Sequence, residues 1–230
     1  MTIGVICAME EELRALLAKL EDRQETVVAD QTYYRGTITN IAVVLVESGI
    51  GKVQMGMTCA IMLEKFAPDV VINTGSAGGI GTGLHVGDVV ISSAVAYHDA
   101  DATAFGYALG QLPQQPQQFT ADADLVKAIA AAAHTVDLQT KVGLIVSGDQ
   151  FIASQAATER ILSIYPDALA AEMEGAAIGQ VATQFGVPFV VIRAMSDVGD
   201  DNAGQSFDEF IVDAGKRSAQ MLLAYLHQLA

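Results

Sequence analysis

Three acidic residues, Glu12, Glu174 and Asp197, each stand close behind a short apolar run, at 3–9, 168–173 and 188–195. In an open α/β sheet, ligands bind at the carboxyl ends of the strands, so the three acids are expected to converge on one pocket. Glu10, Glu11 and Glu12 together open a helix whose dipole favours acids at that end. At ~100° per residue, Glu11 points away from the face formed by Leu13, Leu16, Leu17 and Leu20, which leaves Glu10 and Glu12 as candidates. Glu172-Met173-Glu174 ends a strand in which alternate residues share a face, so one glutamate is expected to turn away as a helix begins. Either glutamate could accept hydrogen bonds from adjacent hydroxyls such as a ribose presents, beside the soft apolar Met173.

Arg193 and Asp197 flank the end of an apolar strand that gives way to a Ser-Asp-Val-Gly-Asp-Asp loop. A structural ion pair between them is one reading, and an acid useful in its neutral form is the other. Against a reference pKa of ~3.9, keeping Asp197 protonated at pH 7 would cost about 4 kcal/mol, so that role demands strong desolvation or a shared proton.

The glycine-dense segment 73–83 follows another apolar run, where close backbone approach would let amides grip a ligand. It lacks the Gly-Lys-Ser/Thr ending of a P-loop and the helix-opening GxGxxG of a dinucleotide site, so a tight crossover turn is the plain alternative. Ser48-Gly49-Ile50-Gly51-Lys52 fails the P-loop comparison as well, on its upstream glycine spacing. His85, His98, His134 and His227 are scattered, and His98-Asp99 reads as a loop hydrogen bond rather than a catalytic pair. No metal is indicated, and Gly-x-Ser-x-Gly does not occur.

Apolar strands are expected at 3–7, 41–47, 70–73, 86–97, 141–147, 168–172 and 189–194. Helices are expected between and after them, at 10–20, 52–66, 123–133, 155–163, 175–185 and 207–229. Strands apolar on both faces, alternating with helices, predict a three-layer α/β/α domain around a twisted sheet. Residues 98–120, with two prolines and several glutamines, break that rhythm; an oligomer contact, a pocket lid and a tolerated surface insertion all fit such a stretch.

The chain has 230 residues without an internal linker or repeat, which predicts one domain, 1–230. Its net charge, 12 − 27 = −15, repels phosphate backbones and anionic membranes, so neither is expected as a partner. The longest uncharged apolar stretch, 175–192, is broken by Gln180, Thr183, Gln184 and Gly186-Val187-Pro188 into a helix, a turn and a strand. The first residues lack a signal-peptide pattern, and Cys7 and Cys59 read as reduced core residues, so a cytoplasmic location is expected.

Taken in order, Ala8-Met9-Glu10-Glu11-Glu12, Ser48–Lys52, Asn73–Gly79, Tyr97–Asp101, Ser147-Gly148-Asp149, Glu172-Met173-Glu174 and Ser196-Asp197 resemble the bacterial 5′-methylthioadenosine/S-adenosylhomocysteine nucleosidases. The resemblance runs from about Ile3 to the last helix. It implies a nucleoside phosphorylase-like fold with a mixed sheet, a homodimer, and hydrolysis of the bond from adenine to a 5′-substituted ribose, serving methionine salvage and removal of methyl-cycle by-products. Substrates would be 5′-methylthioadenosine, S-adenosylhomocysteine and 5′-deoxyadenosine, and no cofactor is implied. By the same resemblance, Glu12 would activate water and Asp197, supported by Ser196, would protonate adenine N7. Glu174 would hold the ribose hydroxyls with Met173 against the sugar, and Arg193 would lie near the water. Phe151 and Ile152 would take the base, and Ser76, Ala77 and Gly78 would line the site. Met9, Ile50 and Phe207 would contact sugar and thio-substituent, while Phe105 and Pro113 would close the partner subunit's pocket. Ala102 and Gly175 depart from the family pattern without touching this chemistry.

Departure of adenine leaves an oxocarbenium-like sugar, and carboxyl groups suit both needs of that step, a base for water and a proton for the leaving group. A phosphorylase of the same fold would need more positive charge than Arg193 alone. A non-catalytic nucleoside sensor would need the pocket but not both acids.

Overall fold

Strands that are apolar on both faces must be covered on both, and that demand sets the architecture. The computed structural model describes residues 1–200 and 202–230. It runs β1 (Thr2–Cys7), α1 (Glu10–Leu17), β2 (Glu21–Val28), β3 (Gln31–Ile38), β4 (Ile41–Glu47), α2 (Lys52–Phe66), β5 (Val70–Gly79) and β6 (Val89–Tyr97). There follow β7 (Phe119–Thr120), α3 (Ala123–Ala133), β8 (Thr140–Ser147), α4 (Gln155–Ile164), β9 (Ala168–Glu172), α5 (Gly175–Phe185), β10 (Phe189–Asp197) and α6 (Ala203–Leu229). A 10-stranded mixed sheet joins the strands in the order β10-β6-β8-β9-β5-β1-β4-β3-β2, with β7 beside β6. Because β10 also pairs in parallel with β5, the strands β10, β6, β8, β9 and β5 close into a ring.

Alternation along each strand divides the core. Ile3, Val5 and Cys7 of β1, with Val43 and Leu45 of β4, enter one cluster that α1, α3 and α6 cover through Leu16, Ile129 and Leu222. Ile6, Val44 and Val46 enter the opposite cluster, covered by α2 and α5 through Met62 and Ile178. The expected α/β/α layering follows directly from this period-two split. Cys7 and Cys59 are both free and buried. Among the described residues, no helix is long and apolar enough to cross a membrane.

Several expectations need correction. No strand was expected between 20 and 41, yet β2 and β3 extend the sheet there as an antiparallel hairpin running into β4. β2 is mostly exposed and charged, so it carries no apolar period, and only the β3 side is anchored, by buried Tyr33 and Ile38. The connecting pairs Ala29-Asp30 and Thr39-Asn40 all have positive φ, the geometry of tight two-residue hairpins, without the glycine that usually advertises one. The expected helix 10–20 stops at Leu17, β6 begins at Val89 rather than 86, and α6 begins at Ala203, a turn before 207. The glycine-dense segment through Gly79 is strand, not a turn, and β10 continues through Ser196 and Asp197 where a loop was expected. Asp201, at the end of that expected loop, lies outside the described residues.

Leu16 is fully buried and joins α1, which carries Glu12, to the first core. Leu16→Ala is expected to lower stability by about 2–5 kcal/mol, the usual result of emptying such a position. Equilibrium urea unfolding checks it, and a loss under about 1 kcal/mol would contradict this anchoring role.

Candidate active site

The cleft is built where β1, β5, β9 and β10 end. Burial of Leu13 and Leu16 turns α1 so that Glu12 faces inward at 1% exposure, while Glu10 stays outside and pairs with Arg14 at 3.0 Å. The helical wheel left both open, and burial separates them. Glu12 Oε2 accepts the Ala8 and Met9 N–H groups at 2.9 and 3.0 Å, capping its own helix. Its Oε1 accepts the Ser76 N–H at 3.1 Å and the Ser76 hydroxyl at 3.3 Å.

The glycines of β5 create the space these acids occupy. A Cβ at Gly75 would lie 2.8 Å from Glu12 Oε1, and one at Gly78 would lie 2.7 Å from Asp197 Oδ1. Neither glycine adopts positive φ, so they are needed for room rather than for a turn. The β10–β5 register slips between Met195 and Asp197, a bulge that re-aims side chains at the strand end. There Asp197 accepts the Ser196 hydroxyl on Oδ2 at 3.0 Å and the Gly199 N–H on Oδ1 at 2.9 Å.

Arg193 does not form the ion pair with Asp197 that spacing allowed. Its guanidinium instead donates to Glu172 and, at 2.6 Å, to Asn73 Oδ1, with Glu174 Oε2 at 3.6 Å. The two glutamates separate as expected at the start of α5. Glu172 accepts the N–H groups of Glu174 and Gly175 and the Ser147 hydroxyl, while Glu174 reaches across to the Gly51 N–H at 2.9 Å. Gly175 leaves room for this, since a Cβ there would lie 3.2 Å from Glu172 Oε1.

One cleft brings together Met9, Glu12, Ile50, Ser76, Ala77, Gly78, Phe151, Ile152, Met173, Glu174, Arg193, Ser196, Asp197 and Phe207. Phe151 and Phe207 meet edge to face across it, with centroids 5.6 Å apart. Phe105 and Pro113 do not line it; both are exposed on the segment after β6, Phe105 at 82%. Ala8, Gln150 and Ala171 line the cleft without having been singled out from the sequence, and Glu172, an equal candidate with Glu174 for the ribose hydroxyls, lines it too. Strand alternation had placed Glu172 on the face of Glu174, which was the available signal. His98 is buried, and its neighbour Asp99 bonds Lys52 and the Asp149 N–H rather than the imidazole.

Burial pushes the Glu12 pKa up, opposed by Arg193 and by the Met9, Ser76 and Ala8 amides. Burial likewise raises Asp197, against the Gly199 and Ser196 hydrogen bonds. Glu174 is pushed up to about 7, first by burial and then by the nearby Glu172 charge. Burial would discharge Arg193, but Glu172, Glu174 and Glu12 outweigh it and hold the guanidinium charged.

A proton binds Glu174 more tightly in the folded chain than in the unfolded one, so its contribution to stability is fully present below the ordinary value of 4.5. That contribution is lost as pH rises through about 7. Thermal melts of the ligand-free protein across this window are expected to fall less steeply for Glu174→Gln than for the parent. Parallel curves would contradict the shift.

The phosphorylase superfamily model matches residues 2–227. A 5′-methylthioadenosine/S-adenosylhomocysteine nucleosidase of Anoxybacillus flavithermus (strain DSM 21510 / WK1) is 48% identical over 230 residues, covering 100% of this chain and 99% of that protein. The crystal structure of S-adenosylhomocysteine nucleosidase from Streptococcus pyogenes in complex with 5-methylthiotubericidin superposes with a TM-score of 0.97 at 47% identity, covering 100% of this chain and 98% of that one. The S. pneumoniae 5′-methylthioadenosine/S-adenosylhomocysteine nucleosidase with a transition-state inhibitor, MT-ImmA, gives 0.96 at 51% identity and covers 100% of both chains. The chain belongs to the phosphorylase superfamily and, within it, to the 5′-methylthioadenosine/S-adenosylhomocysteine nucleosidases.

Proposed function

We propose that this chain, read as a single nucleosidase domain, hydrolyses the N-glycosidic bond of 5′-methylthioadenosine and S-adenosylhomocysteine, and also of 5′-deoxyadenosine. The products are adenine and the 5′-substituted ribose, which fits methionine salvage and removal of methyl-cycle by-products. The observation that carries the proposal is the meeting of two buried carboxyl groups, Glu12 and Asp197, in one cleft with Glu174 and apolar walls.

In this reading Asp197 enters protonated and gives its proton to adenine N7 as the C1′–N9 bond breaks, and desolvation favours that neutral form. Ser196 steadies the aspartate. Glu12 takes a proton from the water that adds to C1′, close to Arg193. The two steps suit an oxocarbenium-like transition state, which needs an acid on the leaving group and a base on the water. Glu174 accepts hydrogen bonds from the ribose hydroxyls, with Met173 against the sugar. Phe151 and Ile152 hold the base, and Met9, Ile50 and Phe207 take the sugar and the thio-substituent.

The proposal includes a cytoplasmic homodimer in which Phe105 and Pro113 of each subunit close the other's 5′ subsite. Phe105 is 82% exposed, and α2 presents Val53 and Met57 to solvent beyond Ile50 at the cleft, an apolar surface suited to a second copy.

Glu12→Gln and Asp197→Asn are each expected to slow adenine release by about 10²–10⁴-fold while nucleoside binding persists. Initial rates and equilibrium binding are measured on the same preparations. Near-normal turnover in either variant would overturn the assignment of roles.

A further inference from the structure

The motifs at 48–52, 97–101 and 147–149 meet at a charged node that the proposed chemistry does not use. Lys52 Nζ lies 2.6 Å from Asp99 Oδ2 and 3.6 Å from Asp149 Oδ2. The Lys52 backbone N–H donates to Asp149 Oδ1 at 2.9 Å, and the Asp149 N–H donates to Asp99 Oδ2 at 2.9 Å. Asp149 therefore supplies the cap that α2 lacks, since its own N-cap is Gly51. Gly51 sits at φ 100°, where side chains are strained, and donates its N–H to Glu174 at 2.9 Å. Burial works to raise the Asp99 pKa, but Lys52 and the Asp149 amide outweigh it and hold the carboxyl below its usual range.

The node is attached to residues 149–153, which belong to no helix or strand and carry Phe151 and Ile152. Gln150 and Ile152 line the active-site cleft and also border a second cavity lined by His98, Asp99 and Arg160. Ile152 is anchored in a core with Ile80 and Ile161, but Asp149, Gln150 and Phe151 before it are exposed, so polar tethers must set how that stretch lies. We propose that Lys52 is a positioning residue for the base-binding segment, fixing Phe151 and Ile152 relative to Glu174 through Asp149 and Asp99 without touching substrate. This deepens the nucleosidase reading and rests on it.

The test compares Lys52→Met, Asp149→Ala and Lys52→Arg with the parent protein. Asp149 is half exposed, so its variant decides the matter by the same readouts if Lys52→Met does not fold. In the free protein, amide hydrogen exchange at 149–153 is expected to rise about tenfold in the first two variants. The Kd of adenine and the KM for 5′-methylthioadenosine are expected to rise about tenfold, kcat to change by less than about threefold, and Lys52→Arg to stay near the parent. Unchanged exchange in the folded variants would overturn the proposal. So would a fall in kcat with KM and adenine Kd unchanged, which would place Lys52 in the chemistry. A parent protein that binds no adenine would strike the nucleosidase reading instead, and the exchange result would still decide for or against the tether.

Discussion

A guanidinium with almost no access to water must find its compensation inside the protein, and Arg193, 1% exposed, organises the cleft around that demand. Its partners come from three directions: Asn73 on β5, Glu172 at the end of β9 and Glu174 at the start of α5. Asn73 passes the link to β1 by donating to the Ile6 carbonyl at 2.8 Å. Removing one partner from such a set typically costs about 3–5 kcal/mol, because a buried charge is left behind. One cation among Glu12, Glu172 and Glu174 is nonetheless outnumbered: burial raises the pKa of both Glu12 and Glu174, and at Glu174 the neighbouring Glu172 charge adds to it.

In the proposed reaction, chemically similar groups take different work. Glu12 is surrounded by four hydrogen-bond donors from Ala8, Met9 and Ser76, whereas Asp197 receives two, from Ser196 and Gly199. Environments that differ in this way divide carboxyl groups into bases and acids. Space is as important as charge: without the bare backbone at Gly75 and Gly78, neither acid would fit where it lies.

Much of this was legible in the sequence because burial on both faces leaves continuous apolar strands, and strand ends mark where a site can form. The first α-helix was readable from its leucines, although the wheel alone could not separate Glu10 from Glu12. β2 was not readable, because an exposed edge strand of charged residues has no apolar period to detect. The partner of Arg193 was also hidden, since spacing along one strand favoured Asp197 while the actual partners approach from β5, β9 and α5. Of the residues that family resemblance selected, the fold brings all but Phe105 and Pro113 together in one cleft. Glu172 stood level with Glu174 as a candidate for the ribose hydroxyls, because its actual bonds, to Arg193, Ser147 and the α5 amides, appear only after folding.

Hydrolysis requires water, not phosphate, as the nucleophile, in a cleft whose cation is already engaged by glutamates. The most direct measurement incubates the protein with 5′-methylthioadenosine and with S-adenosylhomocysteine, in the presence and absence of phosphate, and follows adenine and the sugar product. Equal amounts of adenine and free 5′-substituted ribose are expected, at a rate that phosphate does not change. Adenine release that requires phosphate and yields a sugar 1-phosphate would contradict hydrolysis.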